Sequence, residues 1–150
     1  MSHLRTALLN LCSAYVNQRI QVAQEAIHAA QESAQAEEKS SAGDKYETGR
    51  AMAHLEKEKA MLQWHEANRL RADLEKVARQ PASDSVGLGS VVVTSSTRFY
   101  VSIGAGNLSV DGVDYLALSP ASPLGQRLMK RKVGDRLLFQ NKSYTILAIH

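Results

Sequence analysis

From Leu4 to about Glu38 the apolar residues recur at helical spacing: Leu8, Leu9, Cys12, Val16, Ile20, Ala23, Ile27, Ala30 and Ala34. Their size changes along the segment. Leu8, Leu11, Tyr15, Val16 and Ile20 stand near the start, and alanines follow. A second periodic segment, Lys45 to about Arg79, has the reverse order. Ala51, Met52, Ala53 and Leu55 come first, then Leu62, Ala67, Leu70, Leu74 and Val77. Helices approach closely where the contacts are small. The two opposed gradients therefore predict an antiparallel helical hairpin, narrow at the turn and wider at the base. About 35 residues per helix gives a length on the order of 50 Å.

Ser40 to Gly49 separates the two segments. Gly43, without a Cβ, suits the left-handed residue that ends a first helix. Asp44 suits the N-cap of a second, and Glu47 stands at the capping-box spacing behind it. The predicted turn so carries two carboxylates three residues apart.

Gln80-Pro81-Ala82-Ser83-Asp84-Ser85 ends the helical pattern. Beyond it the period becomes that of strands. Strands are predicted at 90–94 and 98–103 around Ser95-Ser96-Thr97, and at 108–110 and 113–118 around Asp111-Gly112, a two-residue hairpin signal. A short helix is predicted over 123–130, with Ser122 as N-cap and Pro123 in its first position. Strands at 136–140 and 143–149 then pair across Asn141-Lys142. The pattern defines an α+β chain in two domains: a helical hairpin over residues 1–80, with its acidic turn at 43–47, and a small antiparallel β-domain with one short helix over 86–150.

Composition narrows the class. With 44% hydrophobic and 22% charged residues the 150-residue chain can bury a core. No run of eighteen apolar residues predicts a membrane span, and the opening Met1-Ser2-His3-Leu4-Arg5 lacks the pattern of an export signal. The lone Cys12 cannot form an internal disulfide, which fits a cytoplasmic protein. No zinc-ligand spacing occurs. Residues 1–80 hold 11 Lys/Arg and 11 Asp/Glu, whereas residues 81–150 hold 7 and 4. Four of those seven are Arg127, Lys130, Arg131 and Lys132. Such a run suits an acidic partner or nucleic acid, and equally a solvated helix face.

Two stretches resemble one family. Gly43-Asp44-Lys45-Tyr46-Glu47 resembles the G-D-x-x-E tip of the Gre transcript-cleavage factors of bacterial RNA polymerase. Ser122-Pro123-Leu124-Gly125-Gln126-Arg127-Leu128, followed by Arg131 and Val133-Gly134-Asp135, resembles their C-terminal segment. The order of parts is also theirs: an antiparallel coiled coil, a linker, then a small FKBP-like β-domain. The resemblance implies RNA polymerase and the RNA 3′ end as partners, with no membrane and no small-molecule substrate. It implies that Ser122, Pro123, Leu124, Gly125, Arg127, Arg131 and Asp135 bind the polymerase. It further implies that Asp44 and Glu47 are catalytic. They would hold Mg²⁺ only in complex with the polymerase and stimulate its RNA cleavage, so the chain is not expected to be an enzyme alone. Carboxylate oxygens are fitting ligands for that ion. Thr48 follows Glu47 where the family usually continues Glu-Asn, and Ala51 stands in the place of a family tyrosine. These departures keep a non-cleaving polymerase-binding regulator, or a coiled-coil adaptor, as the alternative. Prolyl isomerisation needs an aromatic pocket, whereas Phe99, Tyr100, Tyr115, Phe139 and Tyr144 fall on predicted strands as core.

Overall fold

The computed structural model describes residues 2–38 and 43–150, with the side chains of all of these except 37, 38 and 43–46. Two long helices, α1 (His3–Glu38) and α2 (Gly43–Ala78), precede six strands and one short helix. The strands are β1 (Val91–Thr94), β2 (Arg98–Val101), β3 (Gly106–Val110), β4 (Val113–Leu118), β5 (Arg136–Phe139) and β6 (Lys142–Ile149). Helix α3 (Pro123–Leu128) lies between β4 and β5 in sequence. Among the described residues no helix is long and apolar enough to cross a membrane.

The chain divides into two compact units, residues 15–70 and residues 1–14 with 71–150. The division falls within both long helices, not at Pro81. The first turns of α1 and the last turns of α2 thus group with the strands.

In the 15–70 unit the buried residues are Val16, Ile20, Ala23 and Ala30 of α1 and Ala53, Ala60 and Ala67 of α2. The α2 set repeats every seven residues, the interval that keeps one seam of a helix against its neighbour. One groove has Ala34 and Gln35 on one wall and Ala51, Ala53 and His54 on the other. A second has Ala26, Ala29, Ala30 and Ser33 facing Glu56, Lys59, Ala60 and Gln63. The larger apolar residues assigned to the α2 stripe do not pack there: Met52, Leu55 and Leu62 are exposed, Leu62 at 70%. Alanine brings two backbones close without the rotamer entropy of a long side chain, so the seam excludes the bulky residues.

The unit of residues 1–14 and 71–150 holds a sheet of order β3-β4-β2-β1-β6-β5. The predicted all-antiparallel sheet is corrected to a mixed one, because β2 and β4 run parallel with Phe99 opposite Leu116. The chain leaves β2, makes the edge strand β3, and turns back at Asp111-Gly112 into β4, which lies between β3 and β2. Both turn residues have positive φ, 52° and 78°, as the tight hairpin requires. The second hairpin turns on Gln140-Asn141 (φ 49° and 65°), one residue earlier than predicted, since Phe139 pairs with Lys142. Val86, Val92, Phe99, Val101, Leu118, Leu128, Leu137, Tyr144 and Ile146 form one core. Phe99 and Tyr144 meet edge to face at 5.6 Å between ring centroids.

Arg5, Cys12, Tyr100 and Ser102 form a buried polar group in the same unit. The enclosed Ser102 hydroxyl lies near the Cys12 thiol and the Tyr100 hydroxyl without a well-formed hydrogen bond. Burial pushes the Cys12 thiol up from 9.0 to about 11, against a smaller lowering by Ser102. Burial likewise pushes Tyr100 up from 10.0 to about 12; Cys12 adds to the rise, and Ser102 and Arg5 oppose it. Both shifts disfavour the anion in the folded state. Their contribution to stability is complete below the ordinary values and is lost as pH rises through the raised ones.

Two outcomes are expected from denaturant unfolding. Ala60→Leu, which overfills a seam position that is 2% exposed, should cost about 1–3 kcal/mol, whereas Leu62→Ala should stay within about 0.5 kcal/mol. Equal effects would remove the alanine seam as the packing surface. Stability should fall between pH 9 and 12, and Cys12→Ala should flatten the part from 9 to 11. A Cys12→Ala profile parallel to that of the parent would show that the thiol is not buried in its protonated form.

Candidate functional site

The two sequence motifs fall in different units, and each is built by its own local chemistry. The acidic motif opens α2, which begins at Gly43. Gly43 is therefore the first residue of the second helix, not the residue that ends the first, and Asp44 lies inside the opening turn. Residues 39–42 of the predicted turn lie outside the described residues. The Asp44 side chain, with its predicted cap contact, is also outside them. Helical register puts residues 44 and 47 one turn apart on the same side of α2. Glu47 is exposed.

Glu47 lines a groove together with Arg50, His54 and Lys57 of α2 and Gln31 and Gln35 of α1. The positions 47, 50, 54 and 57 follow the three-and-four spacing of one helix face. His54 Nε2 lies 3.2 Å from Glu58 Oε1, and both side chains are well exposed. Of the cations on α2, Arg69 pairs with Glu66 at 3.4 Å. The two glutamines and His54 were not among the candidate residues from sequence. Their signal was weak: three polar side chains with no motif between them, brought together only by helix pairing. Among the described residues no three His, Cys, Asp or Glu side chains are placed to hold one metal ion.

The Ser122–Asp135 segment is built largely by hydrogen bonds to its own backbone. Ser122 is the N-cap of α3: its hydroxyl donates to Ser119 O at 2.6 Å and accepts from Gly125 N at 3.1 Å. Pro123 fills the first helical position, where no N–H is needed. Leu124 packs against the core. Gly125 is buried, and a Cβ there would collide with Ser119 O and press on Ser122 Oγ. Asp135 Oδ2 accepts from Lys132 N at 2.9 Å and closes the turn before β5.

The basic run does not occupy one helix face. Helix α3 ends at Leu128, two residues before the predicted end, and Lys130 takes a left-handed backbone (φ 69°). The chain then pairs with the linker: Lys130 N donates to Val86 O and Val86 N donates to Arg131 O, both at 2.8 Å. Ser85 and Lys132 form an isolated antiparallel bridge. Arg127, Lys130 and Lys132 are exposed, and Arg131 is half-buried with its Nε on Arg127 O at 3.0 Å. None of these four takes part in an ion pair among the described residues. The segment thus divides into residues that set its shape (Ser122, Pro123, Leu124, Gly125, Asp135) and cations that face solvent.

No family model, curated protein or solved structure matches the chain.

Gly125→Ala should destabilise the chain by about 1–3 kcal/mol, because the obstacle is backbone that cannot swing aside. Ser122→Ala should cost about 0.5–2 kcal/mol, the loss of one cap. Thermal melting checks both. A Gly125→Ala protein as stable as the parent would refute the close packing of α3 on the 119–122 turn.

Proposed function

We propose that the chain is a Gre-type elongation factor that binds bacterial RNA polymerase in the cytoplasm and stimulates cleavage of backtracked RNA. The observation that carries the reading is the position of Gly43-Asp44-Lys45-Tyr46-Glu47 as the opening turns of the long helix α2, with Glu47 exposed. In this reading the 15–70 unit is an antiparallel helical pair that enters the polymerase's secondary channel. The groove walls support it, since 31–35 lie with 47–57 and 26–33 with 56–63, in opposite sequence directions. The strands and α3 would be an FKBP-like domain that docks at the channel's rim through the Ser122–Asp135 segment. Arg127 and its neighbouring cations, free of ion pairs among the described residues, suit an acidic docking surface.

Residues 44 and 47 stand one helical turn apart, and their carboxylates would supply part of the oxygen ligation of a Mg²⁺, with the polymerase and RNA supplying the rest. The chemistry such an ion would supply is a lowered pKa for a bound water and neutralisation of charge on the attacked phosphodiester. In this reading the part of this chain is to bring Asp44 and Glu47 to the ion, and one of the two carboxylates would accept the water's proton. Thr48 and Ala51, at positions where the family usually carries other residues, favour the second reading: a polymerase binder that occupies the channel without cleaving.

A cleavage assay on stalled elongation complexes tests both. Asp44→Asn should abolish stimulated cleavage and leave polymerase binding intact. Its cost in stability should be about 0.3–1 kcal/mol, the loss of one favourable charge from a first helical turn. Glu47→Gln should act alike. Cleavage unchanged in both variants would end the catalytic role, and a parent protein that binds but does not cleave selects the non-cleaving reading. Failure to bind polymerase ends both.

A further inference from the structure

We infer that the pocket between the start of α1 and the end of α2 is a binding site for a small oxyanion, a phosphate or carboxylate group. Its walls are Ser2, Arg5, Arg79, His150 and residues 78 and 80–82. All belong to the unit of residues 1–14 and 71–150.

Arg5 is 5% exposed, yet no ion pair among the described residues includes it or Arg79. A guanidinium keeps its charge and offers five N–H donors. One of them, on Nη2, reaches Gln80 O at 3.0 Å. Burying such a charge without a counter-charge is costly. The pocket places two arginines and a histidine together and has no Asp or Glu side chain in its walls.

Helix polarity points the same way. The first turn of α1 holds no acidic residue, and Arg5 stands among N–H groups that favour negative charge. Ser2 Oγ accepts from Arg5 N at 3.2 Å, so its own proton remains to be donated. Repulsion from the end of α2 is limited, because Val77 O accepts from Gln80 N and Gln80 O from Arg5. Gly89 (φ 87°) leaves the room in which the guanidinium is held: a Cβ there would stand 2.7 Å from Arg5 Nη2. Capping α2 explains one Arg5 donor. It leaves the other Arg5 donors, which are not enclosed, and Arg79 on the same wall, whose Nε donates to Glu75 O at 3.2 Å and whose other donors remain. An oxyanion accepts several N–H bonds at once, the geometry that arginine forks serve.

The test is a titration of the full chain with inorganic phosphate, ionic strength held constant with sodium chloride, read by calorimetry and by melting temperature. Saturable binding near one phosphate per chain is expected. Arg79→Gln should weaken it about tenfold, the worth of one charge-assisted bond, with the phosphate-free melting temperature lowered only slightly by the loss of the exposed bond to Glu75 O. Arg5→Gln should abolish it, and Arg79→Gln keeps the test decisive if that variant fails to fold. An acetate arm separates the two chemistries: saturable acetate binding with the same Arg79 dependence assigns a carboxylate. No saturable binding of either ion, or binding indifferent to Arg79→Gln, overturns the site.

Discussion

Close packing through alanine is the constraint on which the 15–70 unit depends. Ala23 and Ala30 of α1 and Ala53, Ala60 and Ala67 of α2 are buried, while Leu55 and Leu62 are left to solvent. A methyl group buries little area, so the gain per residue is small. What small residues allow is the approach of two backbones, with dispersion summed along the whole seam. The seam tolerates no enlargement, and neighbouring polar residues such as Gln31, Gln35, His54 and Lys57 are drawn to its edges. The polar groove beside Glu47 is a consequence of that closeness.

The other unit rests on different physics. Its sheet has large side chains on both faces: Phe99, Tyr144 and Ile146 in the main core, and Tyr100 toward Arg5 and Cys12. The second group combines buried hydroxyls, a thiol and a guanidinium. Burial and charge oppose one another there. The raised thiol of Cys12 follows from that burial, and makes it a poor nucleophile at neutral pH. The buried charge of Arg5 belongs to the same region and bears on the adjoining pocket.

Most elements were legible in the sequence because each announces itself locally. The 3.6 period defines α1 and α2, Ser122-Pro123 starts α3, and Asp111-Gly112 turns β3 into β4. Features set by distant pairing were not. Nothing local in 98–101 says that its neighbour is 116–118 in parallel, because the edge strand β3 intervenes. The hairpin at Gln140-Asn141 was misread by one residue, since Asn141 signals a turn without fixing its register. Size was a misleading guide to burial on α2, where Ala60 is inside and Leu62 outside. At the candidate sites the motif residues were legible, but not the partners Gln31, Gln35 and His54, nor the pairing of Val86 with Lys130 and Arg131.

That pairing changes what the C-terminal motif means. Five of its seven residues have work inside the fold: a cap, a helix start, a core contact, a close approach and a turn closure. Matching them to a family therefore argues first for a shared local shape, because each would be needed whatever the segment touched. Specific contact falls to side chains with no internal task. Arg131 is partly committed through its Nε, whereas Arg127, Lys130 and Lys132 are exposed and outside the ion pairs of the described residues. The left-handed backbone at Lys130 and the two bonds to Val86 hold residues 130–132 off the helix and against the linker. A partner reading these cations would meet a backbone fixed at both ends, so less ordering entropy would be lost on binding than with a free basic tail.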